Sequence, residues 1–292
     1  MPLLSRSSVG RAEELRSDVD ALVSGWGEAH VLEVDPRGRV RVDGTRLLLR
    51  DATEFGREPI RGAVFLGIRE GRHVWAMRAS ELVGELADLR LLGSELGDED
   101  AGLVTGAVAI LNWHDSARFS AYDGAPSEPS VSGWSRISTS TGHEEFPRTD
   151  PAVICLVHDG GDRVLLARQP SWPRRRFSIL AGFVEAGESL ETCVMREIKE
   201  EVGLDVEDVR YLGSQPWPFP RSVMIGYAAV GDPEAPLVFA DGEIAEAHWF
   251  TRDEVRAALE AGDWTSTADA RLLLPGSISI ARGILESWSA AG

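Results

Sequence analysis

Three carboxylates crowd one short stretch of this chain. Between Ser189 and Leu204 the sequence reads SLETCVMREIKEEVGL, with Glu197, Glu200 and Glu201 near its end. Ser189 is a natural N-cap, Glu191 falls in the first turn and Gly203 supplies a C-terminal stop, so the stretch is expected to be helical. Winding it at about 100° per residue puts Leu190, Cys193, Val194 and Ile198 on one apolar face. Glu197 and Glu201 project within that arc, Glu200 lies at its edge, and Arg196 and Lys199 fall away from it. An unpaired carboxylate on an inward face costs several kcal/mol. One arginine cannot neutralise three acids, whereas a divalent cation can, and clustered oxygen donors suit Mg²⁺ or Mn²⁺. The bland alternative is a solvated helix whose acids pair with Arg196 and Lys199; the shared face favours metal.

A second stretch with chemical potential is SQPWPFPRS, Ser214 to Ser222. Its three prolines remove backbone donors and fix φ, so neither a helix nor a central strand is expected to run through it. Trp217 and Phe219 add apolar rings that a plain solvated loop does not need. Such a stiff loop with aromatic faces and polar ends suits a dinucleotide. The other reading is that the rings plug a core beneath a rigid turn.

The elements that must position these residues can be read coarsely. Strand-like runs appear in HVLEVDPRGRVRVDGTRLLLR and AVFLGIREGRHVWAMRA, and AGLVTGAVAILNWHDSARF has helical periodicity. From about 120 to 145 the chain is rich in Ser, Thr, Gly and Pro, which reads as a connector or loop-rich module. Beyond Pro147, AVICLV, RVLLAR, SVMIGYAAVG and EAHWF are strand candidates, and TRDEVRAALEAG and SISIARGILESWSA are helices. The whole is a mixed α/β (α+β) chain.

Gly182, Glu188, Arg196, Glu197, Ile198, Glu200, Glu201, Gly203 and Leu204 match each fixed position of G-x5-E-x7-R-E-U-x-E-E-x-G-U, where U is bulky and apolar. This is the Nudix box, and SQPWPFPRS resembles the array of the NADH pyrophosphatase group within that superfamily. The resemblance implies an α/β/α sandwich and metal-dependent hydrolysis of a nucleoside diphosphate linked to another moiety. It implies metal ligation by Glu197, Glu201, the backbone carbonyl of Ala181 and a later acid, Glu243, with Glu246 as the fallback. Glu200 would bind a further metal or orient water, and Arg196 would orient the glutamates. Phe146 and Phe183 become candidates to stack on a base. Gln215, Trp217, Phe219, Ser222 and the backbone near Ala281 become candidates for the dinucleotide.

Many members of that group carry a four-cysteine zinc ribbon, which would fall at Ser120, Asp123, Ser138 and Thr141 here. Hydroxyls and one carboxylate are not a tetrahedral thiolate site, so no zinc is expected. The expected organisation is a mixed N-terminal domain over 1–112, a degenerate ribbon-like module over 113–146 and the catalytic domain over 147–292. Family members are dimers, which implies a homodimer.

Composition narrows the partners. The 292 residues carry a formal net charge of −17, which opposes broad tracking of a phosphate backbone but not a small phosphate ligand bridged by metal. Only Cys155 and Cys193 are present, so a disulfide scaffold is excluded. No run reaches membrane-span length, and the N-terminus turns polar too early for a secretory segment, so the protein is expected to be cytoplasmic. The expected reaction is hydrolysis of NAD(H) to AMP and nicotinamide mononucleotide, with removal of NAD caps from RNA as a second use of the same bond. Competing readings are hydrolysis of ADP-ribose or a diadenosine polyphosphate, or a non-catalytic nucleotide sensor, though the acid cluster that a sensor would break is intact.

Overall fold

The computed structural model describes every residue except Met1, Ser7, Ser8, Ser94, Asp241 and Gly292. The chain forms two compact units. One comprises Leu4–Thr149 and Pro216–Arg221; the other comprises Met1–Leu3, Asp150–Gln215 and Ser222–Gly292.

In the first unit, helix α1 (Val19–Trp26) is capped by Asp18, whose side chain accepts from the Ala21 amide at 2.9 Å. Strand β1 (His30–Val34) runs parallel to β3 (Arg72–Arg78), which pairs antiparallel with β2 (Val64–Arg69). Glu70 and Gly71 both take positive φ at the tight turn between β2 and β3, the backbone twist that a two-residue hairpin loop needs. Trp26, Phe65 and Trp75 fill the core beneath, with Trp26 and Trp75 edge to face at 5.3 Å. Helix α2 (Asp98–Ser116) follows; its first turn holds Asp98, Glu99 and Asp100, which favours that end of the helix dipole.

The loop-rich segment after α2 folds into short strands, Ser127–Pro129, Arg136–Ser138 and Glu144–Glu145. Of its four cysteine-equivalent positions, three hydroxyls gather around the carboxylate of the fourth, Asp123. Asp123 Oδ2 accepts from Ser138 Oγ and from Thr141 Oγ1, each at 2.6 Å, and Oδ1 accepts from the Ala125 amide. Ser120 Oγ caps the Tyr122 amide. These bonds, that from Ser138 foremost, hold the Asp123 carboxyl down to about 2. A hydrogen-bonded knot thus ties together the turns that a metal would otherwise cross-link.

The second unit is built on a sheet of order β7-β8-β4-β5-β9, with β6 also paired to β4. The strands are β4 (Asp150–His158), β5 (Arg163–Arg168), β6 (Leu180–Phe183), β7 (Val206–Trp217), β8 (Ser222–Gly231) and β9 (Glu246–Thr251). Central β4 is covered on both faces, which is why its sequence is a continuous apolar run rather than an alternation. Val153, Cys155 and Val157 pack with Cys193, Val194, Ile198 and Val202 of helix α3 (Leu190–Val202). Ile154 and Leu156 face the other way, with Ile280, Ile284 and Leu285 of α5 (Ile280–Ala290) and Val255 of α4 (Arg252–Glu260). The result is an α/β/α sandwich.

Two features depart from the sequence reading. The stretch VEDVRYLG is part of β7, a strand not anticipated, and β7 continues through Pro216 to Trp217. A proline is tolerated there because β7 lies at the sheet's edge, where, among the described residues, one row of donors faces no partner strand. Pro216–Arg221, which includes the last two residues of β7, belongs to the first unit.

Candidate active site

The seam between β6 and α3 is tighter than an ordinary strand–helix contact. A Cβ placed on Gly182 would stand 1.8 Å from Cδ of Glu197 and 2.2 Å from each of its carboxylate oxygens. Only a glycine lets that carboxylate lie against the strand. One turn further along α3, Glu201 is 3% exposed. The helix is fixed at both ends: Ser189 Oγ accepts from the Thr192 amide, and Gly203 takes the left-handed conformation at φ 78°.

Arg196 reaches back toward the start of the helix and joins the acids. Its guanidinium forks onto Glu188 at 2.8 and 3.0 Å, and donates to Glu197 at 3.0 Å, to Glu200 at 2.9 Å and to the Phe183 carbonyl at 3.0 Å. Hydrogen bonding from Arg196 holds the Glu188 carboxyl down to about 2. The guanidinium itself is held more firmly protonated than usual, chiefly by Glu188. Glu197 moves the opposite way: burial raises its pKa, partly offset by Arg196 and reinforced by the charges of Glu200 and Glu243. Arg196 therefore shares one charge among three carboxylates, Glu188 before the helix and Glu197 and Glu200 on it.

The later acids divide clearly. Glu246 pairs with Arg168 at 2.5 Å and with His248 at 3.5 Å, and Arg168 keeps its carboxyl below the ordinary range. Arg168 is anchored in turn on the carbonyls of Gln169 and Trp172. Glu243 instead contributes to the potential at Glu197. The sequence reading missed the Arg168 clamp, although an arginine ending a strand opposite an acidic strand start was a usable signal. Ala181 is exposed on β6, in register with Ile154.

The donor set is all hard oxygen, which fits a magnesium- or manganese-class ion. Among the described residues no three acidic, histidine or cysteine side chains already form a closed cation cage. Arg196 engages the oxygens of Glu188, Glu197 and Glu200 directly. Cys193, beneath this site, is buried and its thiol is pushed up to about 12 by burial, which leaves it inert.

The residues anticipated for substrate are distributed between the units. Phe183 stands 59% exposed on β6, beside the acids. Ser222 opens β8, in register with Asp150. Gln215 is 1% exposed, and its Nε2 donates to the Ile278 carbonyl at 2.9 Å. Ala281 is buried in the first turn of α5, its amide donating to Ser279 Oγ. Phe146, 68% exposed, belongs to the first unit, as do Trp217 and Phe219. The last two rings meet edge to face at 5.0 Å, Arg90 stacks over Phe219 at 4.2 Å, and Asn112 donates to the Pro218 and Pro220 carbonyls.

Comparison with known proteins agrees with this geometry. Residues 148–270 match the NUDIX domain, and residues 21–113 match the NADH pyrophosphatase-like rudimentary NUDIX domain. The chain is 61% identical over 298 aligned positions to the NAD-capped RNA hydrolase NudC of Mycobacterium bovis (strain BCG / Pasteur 1173P2), covering 99% of this chain and 95% of that protein. The protein of that name from Mycobacterium tuberculosis (strain ATCC 25177 / H37Ra) matches at 61% with the same coverage. The mouse mitochondrial NAD(P)H pyrophosphatase NUDT13 is 34% identical, over 93% of this chain and 82% of its own length. Nudix hydrolases generally use divalent metals such as Mg²⁺ or Mn²⁺. With its box gathered at one strand–helix seam and both domain types present in order, this chain belongs to the Nudix hydrolases, in the family of the NAD-capped RNA hydrolases and NAD(P)H pyrophosphatases.

Proposed function

We propose that this protein hydrolyses the pyrophosphate bond of NAD(H), free or as the 5′ cap of an RNA, and releases nicotinamide mononucleotide together with AMP or a 5′-monophosphorylated RNA. The observation that carries the reading is the burial of Glu197 and Glu201 along one seam, with Glu200 and Glu243 close by. Carboxylates held there at a cost in desolvation are arranged for a cation rather than for water.

Glu197 and Glu201, with the Ala181 carbonyl and Glu243, would hold a divalent ion, and Glu200 would contribute to a further one. Bound there, such an ion lowers the pKa of water and neutralises phosphate oxygens. Arg196 positions the set, since its bonds fix Glu188, Glu197 and the Phe183 carbonyl together. Phe183, exposed beside the acids, offers a face for a base. Catalysis is assigned to residues 147–292, and the working assembly to a homodimer.

Product analysis with NAD⁺, NADH and ADP-ribose, with and without Mg²⁺ or Mn²⁺, tests the reading. Metal-dependent release of nicotinamide mononucleotide and AMP is expected from the dinucleotides. Cleavage of ADP-ribose with the dinucleotides spared would overturn the substrate assignment.

A further inference from the structure

This chain has 30 basic residues against 47 acidic ones, yet from Arg163 to Val184 it carries five arginines and no acid. Two of the five are committed to carboxylates: Arg163 to Asp159 and Glu234, and Arg168 to Glu246. The other three, Arg174, Arg175 and Arg176, stand together in the loop between β5 and β6. Arg176 lies in the field of Asp263, whose pKa it helps to lower, whereas among the described residues neither Arg174 nor Arg175 forms an ion pair with a carboxylate. Arg174 and Arg175 are exposed, and Arg175 donates only to the neutral carbonyls of Ala268 and Ala270.

The loop is held in shape. The Phe177 amide donates to the Leu273 carbonyl and the Leu273 amide to the Arg175 carbonyl, while the Arg176 amide closes a turn onto Pro173. Trp172 packs against Trp264 with ring centroids 4.7 Å apart, and Trp264 Nε1 donates to the Phe177 and Leu273 carbonyls. The facing segment 263–273 adds Asp263 and Asp269, and its Arg271 is paired with Glu254, so the surface remains positive. The loop also leaves the sheet at the catalytic end. β5 finishes at Arg168, opposite Glu246 and three residues beyond Glu243, and β6 carries the chain from the loop directly into Gly182.

We propose that Arg174 and Arg175, with the Trp172–Trp264 pair, form the docking surface for the single-stranded RNA that continues from a dinucleotide cap held at the acids. This rests on the function proposed above and adds what would distinguish the polymer from the free dinucleotide. A chain with net charge −17 repels a polyanion, so a capped RNA needs a local positive surface where its phosphodiesters leave the site, whereas the small dinucleotide does not. Paired guanidinium and indole groups are the sequence-tolerant means of holding such a strand, because every base offers a π-face.

The test is steady-state kinetics of wild type and of the double variant Arg174→Glu, Arg175→Glu on an NAD-capped single-stranded RNA oligonucleotide and on free NAD⁺. Both side chains are exposed, and among the described residues only Arg175 makes contacts to lose, to the Ala268 and Ala270 carbonyls, so melting curves and the single variant Arg174→Glu separate folding from binding. For the capped RNA, kcat/KM is expected to fall roughly tenfold, mostly through KM, with a salt dependence shallower by about 0.7 per arginine. Kinetics on free NAD⁺ should be unchanged, and Arg174→Gln should give a smaller step in the same direction. Equal losses on both substrates would assign the loop to the dinucleotide, and no loss on either would remove it from binding; both overturn the proposal. If wild type hydrolyses neither substrate, the proposed function fails while the loop is still read by anisotropy of an uncapped fluorescent RNA. Weaker binding by the double variant sustains the surface, and equal binding overturns it.

Discussion

Glu197 and Glu188 sit on the same arginine and shift in opposite directions: Glu188 accepts two guanidinium bonds and the Glu185 amide, whereas Glu197 accepts one, and its desolvation is reinforced by the charges of Glu200 and Glu243. Glu188 takes a two-pronged bond from Arg196 and is held far below the ordinary carboxylate range. It contributes stability that is present above its unfolded pKa and lost as pH falls toward about 2. Glu197 is pressed against Gly182, and burial raises its pKa. A carboxyl raised in the folded state contributes nothing adverse below its unfolded pKa, destabilises increasingly as pH climbs from there to the folded pKa, and is fully adverse above it. Glu197→Gln should therefore raise the melting temperature of the metal-free protein more at about pH 7 than at about pH 4, and abolish the rise that Mg²⁺ gives the wild type. Equal shifts at both pH values in thermal melts would contradict this. The acids themselves were legible from their shared helical face, whereas the place of Arg196 beside them followed only from the resemblance. A helical wheel puts it outside the arc; in a helix, side chains lean toward the N-terminus, and a long guanidinium follows that lean to Glu188 and the Phe183 carbonyl.

At the scale of elements, α3 could be read to the residue because its caps and apolar spacing are local signals. β7 could not. As an edge strand it leaves Glu207, Asp208, Arg210 and Tyr211 exposed, so it lacks the apolar run that marks β4. The attachment of Pro216–Arg221 to the first unit was equally invisible, since it depends on Asn112, more than a hundred positions away in sequence. The ribbon-like module shows how a scaffold can be kept with a different tie. Asp123 gathers the hydroxyls of Ser138 and Thr141 where thiolates would surround a metal. Asp123→Ala should lower the melting temperature and expose the segment around 120–145 to limited proteolysis, whereas Asp123→Asn, which retains an acceptor, should do less. Indistinguishable melts and digestion patterns for all three proteins would show that the knot holds nothing.

For the whole molecule, charge and architecture pull in different directions. The net charge of −17 suits a small phosphorylated ligand bridged by cations, and the acid-free stretch of five arginines is the surface proposed for a longer anion. Among the described residues no helix is long and apolar enough to cross a membrane. The sandwich covers β4 from both sides, and along the β6–α3 seam it buries Glu201 while leaving Glu200 exposed. The central claim is that this seam performs the hydrolysis. Its most direct test is kcat on NAD⁺ at saturating Mn²⁺ for wild type and Glu201→Gln, with melting curves confirming that both are folded. Loss of the buried carboxylate is expected to lower kcat by at least about a hundredfold, the effect of removing a metal ligand from a charge-stabilising site. A folded Glu201→Gln protein that turns over NAD⁺ at the wild-type rate would place the chemistry elsewhere.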